Sequence, residues 1–211
     1  QDSLNYLISG NLSKGDAYVS KGDYIQALNS FNKGAEIALK NNNFKELAFL
    51  YNDIARVNSA IGNDKITIHY YQKSIELFKK MNDSIGYAST LDNIGAHYLL
   101  KKQPDSALIY LNESGAIFSS LNHQSGIGYN LGNKGLAYAQ KGNIKVAENH
   151  IDNATKILTE LGDYDPVSAY FIALSKIYLE KGNKLPAYNF AHKSLEVAKR
   201  YGSNLCKGGL A

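Results

Sequence analysis

A glycine returns at a fixed interval of 40 residues, at Gly22, Gly62, Gly142 and Gly182, with Lys102 in the one remaining slot. The sequence around it repeats in step. Lys21-Gly22-Asp23 stacks on Ile61-Gly62-Asn63, Lys141-Gly142-Asn143 and Lys181-Gly182-Asn183 without insertion or deletion. Five residues after the slot stand Ala27, Thr67, Ala107, Ala147 and Ala187, and four further on Phe31, Tyr71, Leu111, Ile151 and Ala191. A period of this size means a repeat array, in which each unit buries its apolar face against its neighbours. The functional question then becomes what such an array holds.

The third copy shows the unit. Leu91, Ile94, Gly95 and Tyr98 recur at helical spacing and form one stripe of a first helix, here called helix A. Lys102-Gln103 breaks the pattern, and Pro104 opens a second segment, helix B, at a position proline tolerates. Ala107, Leu108, Leu111, Ala116 and Ile117 give helix B its apolar face. Each repeat reads as helix A, a turn of about three residues, helix B and a longer polar loop. The expected loops are Asn41-Asn42-Asn43, Asn82-Asp83, Asn122-His123, Gly162-Asp163 and Gly202-Ser203. Pro104 and Pro186 fall near the start of a helix B and Pro166 near the start of a helix A, so no proline breaks a helix interior.

Composition narrows the functional classes. Apolar residues make up 44% of the 211, ample for a core. The net charge of +4 is dispersed rather than gathered into a basic stripe, which argues against nucleic acid as partner. The longest stretch free of charged residues, Ser114 to Asn133, is rich in Ser, Gly and Asn and is not a membrane span. The single cysteine, Cys206, excludes an internal disulfide framework.

No catalytic or metal constellation emerges. His69, His97, His123, His150 and His192 show no metal-ligand spacing and read as isolated histidines. Gly126-Ile127-Gly128 with Gly132 fails as a dinucleotide fingerprint, since the third glycine comes one residue late and no strand precedes it. These glycines read instead as places of close helix packing. The expectation is a non-enzyme without cofactor or metal.

The repeat resembles the tetratricopeptide family. The family pattern of large, large-small and Tyr followed by Ala-x3-large is met by Leu91-x2-Ile94-Gly95-x2-Tyr98 with Ala107-x3-Leu111. Phe171-x2-Leu174-Ser175-x2-Tyr178 with Ala187 also meets it, and Tyr51-x2-Ile54-Ala55-x2-Asn58 with Thr67-x3-Tyr71 does so more loosely. The 40-residue period is similar to the long-helix branch found in kinesin light chains and bacterial sensor and regulator proteins. The resemblance implies an all-α, right-handed α-solenoid of five helix-turn-helix units. As one array over 1–211, these would span about 4–42, 44–82, 84–122, 124–162 and 164–202, with 203–211 a tail or truncated next helix.

Opposite the packing stripe of helix A lie Ser89, Asn93, Ala96 and Leu100, and, by steps of 40, Phe49, Asp53, Arg56, Ala60; Tyr129, Asn133, Leu136, Gln140; Ala169, Ala173, Lys176, Glu180; and Ser9, Ser13, Asp16, Ser20. The resemblance implies that helix A faces line a concave groove. The candidate peptide-binding residues are Phe49, Asp53, Arg56, Asn93, Leu100, Tyr129, Asn133, Leu136 and Lys176. Asp53, Asn93 and Asn133 form a column. In the family such asparagines bond the backbone of an extended peptide; bonding between neighbouring helices is the alternative. Phe49 and Tyr129 would be apolar anchors.

Two departures stand out. Lys14 and Lys134 occupy the slot of Ile54, Ile94 and Leu174, where their stems would cover apolar surface, or their charge meet a ligand. Leu12, followed by Asp16, stands where chaperone-tail binders carry a carboxylate-clamp lysine.

The fifth helix B carries Leu185, Ala187, Tyr188, Phe190, Ala191, Leu195 and Ala198, apolar enough to expect a neighbour, yet 205–211 is a poor capping helix. The expectation is either more chain beyond it or a homodimer through this helix. A start at Gln1 fits a removed signal peptide or an internal boundary. The leading reading is a protein- or peptide-binding scaffold, the sensory or adaptor region of a larger signalling protein. An extracytoplasmic place is preferred over a cytoplasmic one. A self-association module and a small-ligand sensor are the alternatives.

Overall fold

The computed structural model describes residues 2–205, with side-chain surroundings for 4–201. Cys206 and the rest of the expected tail lie outside the described residues. Ten helices follow in order: α1 (Asp2–Ser20), α2 (Tyr24–Lys40), α3 (Phe44–Ala60), α4 (Asp64–Lys80), α5 (Ser84–Leu100), α6 (Pro104–Ser120), α7 (Gln124–Lys141), α8 (Ile144–Glu160), α9 (Tyr164–Glu180) and α10 (Lys184–Leu205). The fold is all-α, a helical solenoid of helix-turn-helix repeats, and no strand occurs among the described residues. Odd-numbered helices are the A helices and even-numbered ones the B helices.

The connections differ from expectation. The B-to-A loops are no longer than the A-to-B turns: α2 and α3 are separated by three residues, Asn41 to Asn43, as α1 and α2 are by Lys21 to Asp23. The cause is one shared turn. In all nine connections a backbone N–H bonds back to the carbonyl five residues earlier at 2.9 Å, from Asp23 N–H to Tyr18 through Asn183 N–H to Tyr178. This six-to-one closure needs a left-handed residue just before it. Glycine fills that position at Gly22, Gly62, Gly142, Gly162 and Gly182, while Asn42, Asn82, Lys102 and Asn122 fill it with φ between 50° and 55°. Asparagine tolerates this region better than other side chains, so Asn serves where Gly is missing. The next residue then caps the following helix. Asp23 accepts from Gln26 N–H at 3.1 Å, Asn43 from Glu46 at 3.3 Å and Asp83 from Gly86 at 2.8 Å, each such cap contributing about 1 kcal/mol.

The last expected stop is absent. Gly202 and Ser203 lie inside α10, which runs on to Leu205, so no turn follows residue 202 at the phase of the others.

The chain divides into two compact units, one reaching His97 and the other starting at Tyr98. The core of the first holds Phe31, Leu47, Leu50, Ile54 and Val57. That of the second holds Ile151, Leu158, Phe171, Leu174 and Tyr178, with a smaller cluster around Leu99, Leu111 and Ala137. Helical glycines permit the closest approaches. Gly126 lies under the Phe118 ring, Gly128 against Leu158 and Gly132 under the Tyr170 ring, where no Cβ would fit. The reading of these glycines as packing devices holds.

Candidate functional site

In the first unit the A-helix face centres on Arg56. Its Nη2 donates to Asp53 Oδ1 at 2.9 Å within α3 and to Asp16 Oδ1 at 3.2 Å on α1, tying one repeat to the next. Burial raises the Asp53 carboxyl above its ordinary value, with Arg56 pulling the other way. Beneath them the Tyr71 hydroxyl is pushed up, again chiefly by burial. Two carboxylates share one guanidinium, so Arg56 is already neutralised and does not make a carboxylate clamp. Leu12, at the clamp's lysine position, packs on the apolar core.

Asn93, on α5, is half-buried between the buried Asp92 and Ile94. It donates from Nδ2 to Asn52 Oδ1 at 3.4 Å, a long bond that leaves its own carbonyl oxygen to other donors. Helix stitching is carried mainly by its neighbours. Asn52 Nδ2 reaches Ser74 Oγ at 3.0 Å and Thr90 Oγ1 at 2.8 Å, all buried, and Ser74 Oγ donates to the Ala48 carbonyl at 2.8 Å. In the second unit Asn130 Nδ2 reaches the Leu111 carbonyl and Ser114 Oγ, both at 2.8 Å. Sequence reading passed over Asn52 and Asn130; their signal was an amide at an otherwise apolar helix position. Phe49, expected as an anchor, is half-buried with its ring edge on Phe78 at 5.1 Å.

The second unit carries the remaining candidates. Leu100 is 67% exposed and Tyr129 37%, Lys176 is exposed, and Asn133 and Leu136 are half-buried. Tyr129 donates from its hydroxyl to Asp163 Oδ2 at 2.7 Å, while its carbonyl accepts from the Tyr170 hydroxyl at 3.0 Å. The ring is thereby fixed in place, and burial, then the Asp163 contact, raises its phenol. Gln140 donates to the Leu99 carbonyl at 2.9 Å, yet its own buried Oε1 has no donor.

The two lysine departures differ in exposure. Lys14 is exposed with Nζ 5.9 Å from the Tyr18 ring centre. Lys134 is half-buried, near enough to His150 to help burial lower that imidazole's pKa.

His97 corrects the picture of isolated histidines. It is buried, with Nδ1 2.7 Å from Ser59 Oγ and Nε2 3.9 Å from Asp64 Oδ1. The order Ser, His, carboxylate brings a hydrolytic triad to mind, but Ser59 lies in the last turn of α3, where helix carbonyls rather than N–H groups converge. The geometry supports helix bridging, not stabilisation of an oxyanion. No group of three or more potential ligands that could hold a metal occurs among the described residues. None of the described helices is long and apolar enough to cross a membrane.

Residues 8–41 match the tetratricopeptide repeat family. No curated protein matches the chain. Among solved structures it is similar to a Rap protein complexed with competence and sporulation factor, at 16% identity and a TM-score of 0.77 over 94% of this chain and 56% of that one. A plasmid-encoded Rap conjugation gene regulator in complex with a Phr peptide gives 18% and 0.77 over 95% and 55%. The kinesin light chain TPR-like repeats of Podosopora anserina give 13% and 0.61 over 92% and 97%. The chain thus spans little more than half the length of the Rap proteins it resembles, and at these identities the likeness is one of fold. Residues 8–41 thus carry the tetratricopeptide repeat sequence, and the chain as a whole resembles these helical-repeat structures in fold.

Proposed function

We propose that the A-helix faces bind an extended peptide or protein segment, making the chain a non-enzymatic recognition scaffold. The supporting observation is the character of one slot. Asp53, Asn93, Asn133 and Ala173 all stay half-buried at the same position of successive A helices, and the residues around them include Leu100 and Tyr129. A purely solvated helix face would carry Lys and Glu there. Half-exposed amides beside apolar groups suit a ligand whose backbone offers N–H and C=O groups at regular intervals.

Within the first unit, Asn93 and the Asp53–Arg56 pair would meet peptide groups, with Phe49 at the edge. In the second, Asn133 would do so between Leu100, Tyr129 and Leu136, with Lys176 at the rim. The Rap regulator complexed with a Phr peptide is an example of such a ligand on a similar fold. A sensory or adaptor role within a signalling protein extends the same reading.

The test starts from a displayed library of random peptides selected on the whole chain. Selected peptides are then titrated against the Asn93→Ala and Asn133→Ala variants by fluorescence anisotropy. Each variant should bind at least about tenfold more weakly, the loss of 1.4 kcal/mol, with an unchanged melting curve. Failure to enrich any peptide, or binding by both variants as tight as that of the wild-type chain, would overturn the proposal.

A further inference from the structure

Between the B helices α8 and α10 lies a cavity of about 340 Å³, near the lower end of small-molecule sites. Its floor is apolar. Val167 and Phe171 of α9 are buried there, 1% and 5% exposed, with the half-buried Val197 and Tyr201 of α10 beside them. The Tyr201 ring is held by stacking on Tyr164, with ring centres 3.6 Å apart. None of the lining residues belongs to the A-helix face proposed for a peptide.

The position of α10 in the chain does not create this cavity. Lys193, Glu196 and Arg200 line it and are exposed, while Val197 is half-buried. One repeat earlier, on α8, Asn153, Lys156 and Glu160 are exposed and Ile157 half-buried, although α9 and α10 follow. These positions face outward in an interior repeat as well, so a following repeat in the same register would not cover them.

The polar groups decide what the cavity suits. Asp152, with Thr155 and Thr159, stands on the α8 wall, and Lys193, Glu196 and Arg200 on the α10 wall. Lys193 Nζ lies 5.7 Å from the Phe171 ring centre and 5.0 Å from that of Phe190. The Arg200 guanidinium lies 5.4 Å from the Tyr201 ring centre. Among the described residues neither cation forms an ion pair, nor does Asp152, and Glu196 lies 3.5 Å from His192. A hydroxyl is also unused: Thr155 Oγ1 is buried without a hydrogen-bond partner among the described residues, a state native proteins rarely leave unsatisfied. Threonine in a helix divides between two χ1 wells, so rotation can offer this hydroxyl to a ligand.

Two positive and two negative groups around an apolar floor match a small ligand that carries both charges and an apolar body. A ligand of one sign would face an unmatched pair of like charges. We propose that the cavity binds a free apolar α-amino acid. Its carboxylate meets Lys193 and Arg200, its ammonium meets Asp152 and Glu196, and its side chain lies on Val167 and Phe171.

Isothermal titration calorimetry of the whole chain with L-valine, L-leucine and L-phenylalanine tests this. At least one of the three should bind saturably, one molecule per chain. Its N-acetyl derivative, lacking the ammonium, and its amide, lacking the carboxylate, should each bind at least about tenfold more weakly. The Arg200→Gln and Asp152→Asn variants should show the same loss with an unchanged melting curve, since both side chains are exposed. Absence of saturable binding by all three amino acids would overturn the proposal, as would variants that bind like the wild-type chain. Equal binding of the N-acetyl derivative would also overturn it, because the site would then read a bare carboxylate such as a peptide C-terminus.

Discussion

At the scale of single residues, the turns carry the most information. Each needs one left-handed residue, and among the described residues Lys102 is the only such position that is neither Gly nor Asn. A non-glycine side chain there costs on the order of 1 kcal/mol. Its ion pair with Glu180, at 2.8 Å between two exposed side chains, adds little in return. Lys102→Gly should therefore raise stability by about 1 kcal/mol in urea titrations. Buried amides have the opposite sign. Asn130 is 2% exposed and satisfies both the Leu111 carbonyl and Ser114, so Asn130→Ala should cost about 1–3 kcal/mol. The same titration measures it.

His150 makes the residue scale sensitive to pH. Its pKa is lowered by burial and, to a lesser degree, by Lys134. A histidine whose folded pKa lies below its unfolded one leaves the unfolded chain binding more protons as pH falls. Its contribution is therefore neutral above the ordinary histidine range and destabilising below it. The ring stacks on Tyr138 with centres 5.3 Å apart, a contact phenylalanine can keep. The His150→Phe chain should lose less stability than wild type between neutral and mildly acidic pH. Parallel melting curves at the two pH values measure the difference.

At the scale of elements, helix positions were legible and connections less so. The spacing of Leu91, Ile94 and Tyr98 and the placement of Pro104 located α5 and α6 because helical periodicity and proline geometry are local. The loops were misread because Gly22 and Asn42 look different as letters while adopting the same backbone conformation. The structural turn recurs every 20 residues, and glycine marked mainly alternate ones. Gly202-Ser203 failed in the opposite way. A glycine stops a helix only when the chain then turns back, and α10 continues through it. The amides divide similarly. Sequence singled out the 53, 93, 133 column, whereas the stronger inter-helix bonds use Asn52 and Asn130, one slot before Asp53 and three before Asn133. One slot on a helix is about 100° of rotation, enough to separate a fully buried stitching residue from a half-buried one. His97 escaped notice because its partners, Ser59 and Asp64, lie over 30 positions away in sequence and meet it only through packing.

At the scale of the whole molecule, each repeat contacts mainly its sequence neighbours, which is why a 40-residue ruler could reveal the fold. Function has no such ruler, because the face left over by packing records what can be bound but not what is. The central claim is that the A helices, and not the B helices, receive a peptide. Hydrogen–deuterium exchange of the whole chain with and without a library-selected peptide tests it most directly. The expected result is slowed exchange in α3, α5 and α7, with α4, α6 and α8 unchanged. Protection confined to the B helices, or to the inter-helix turns, would contradict it.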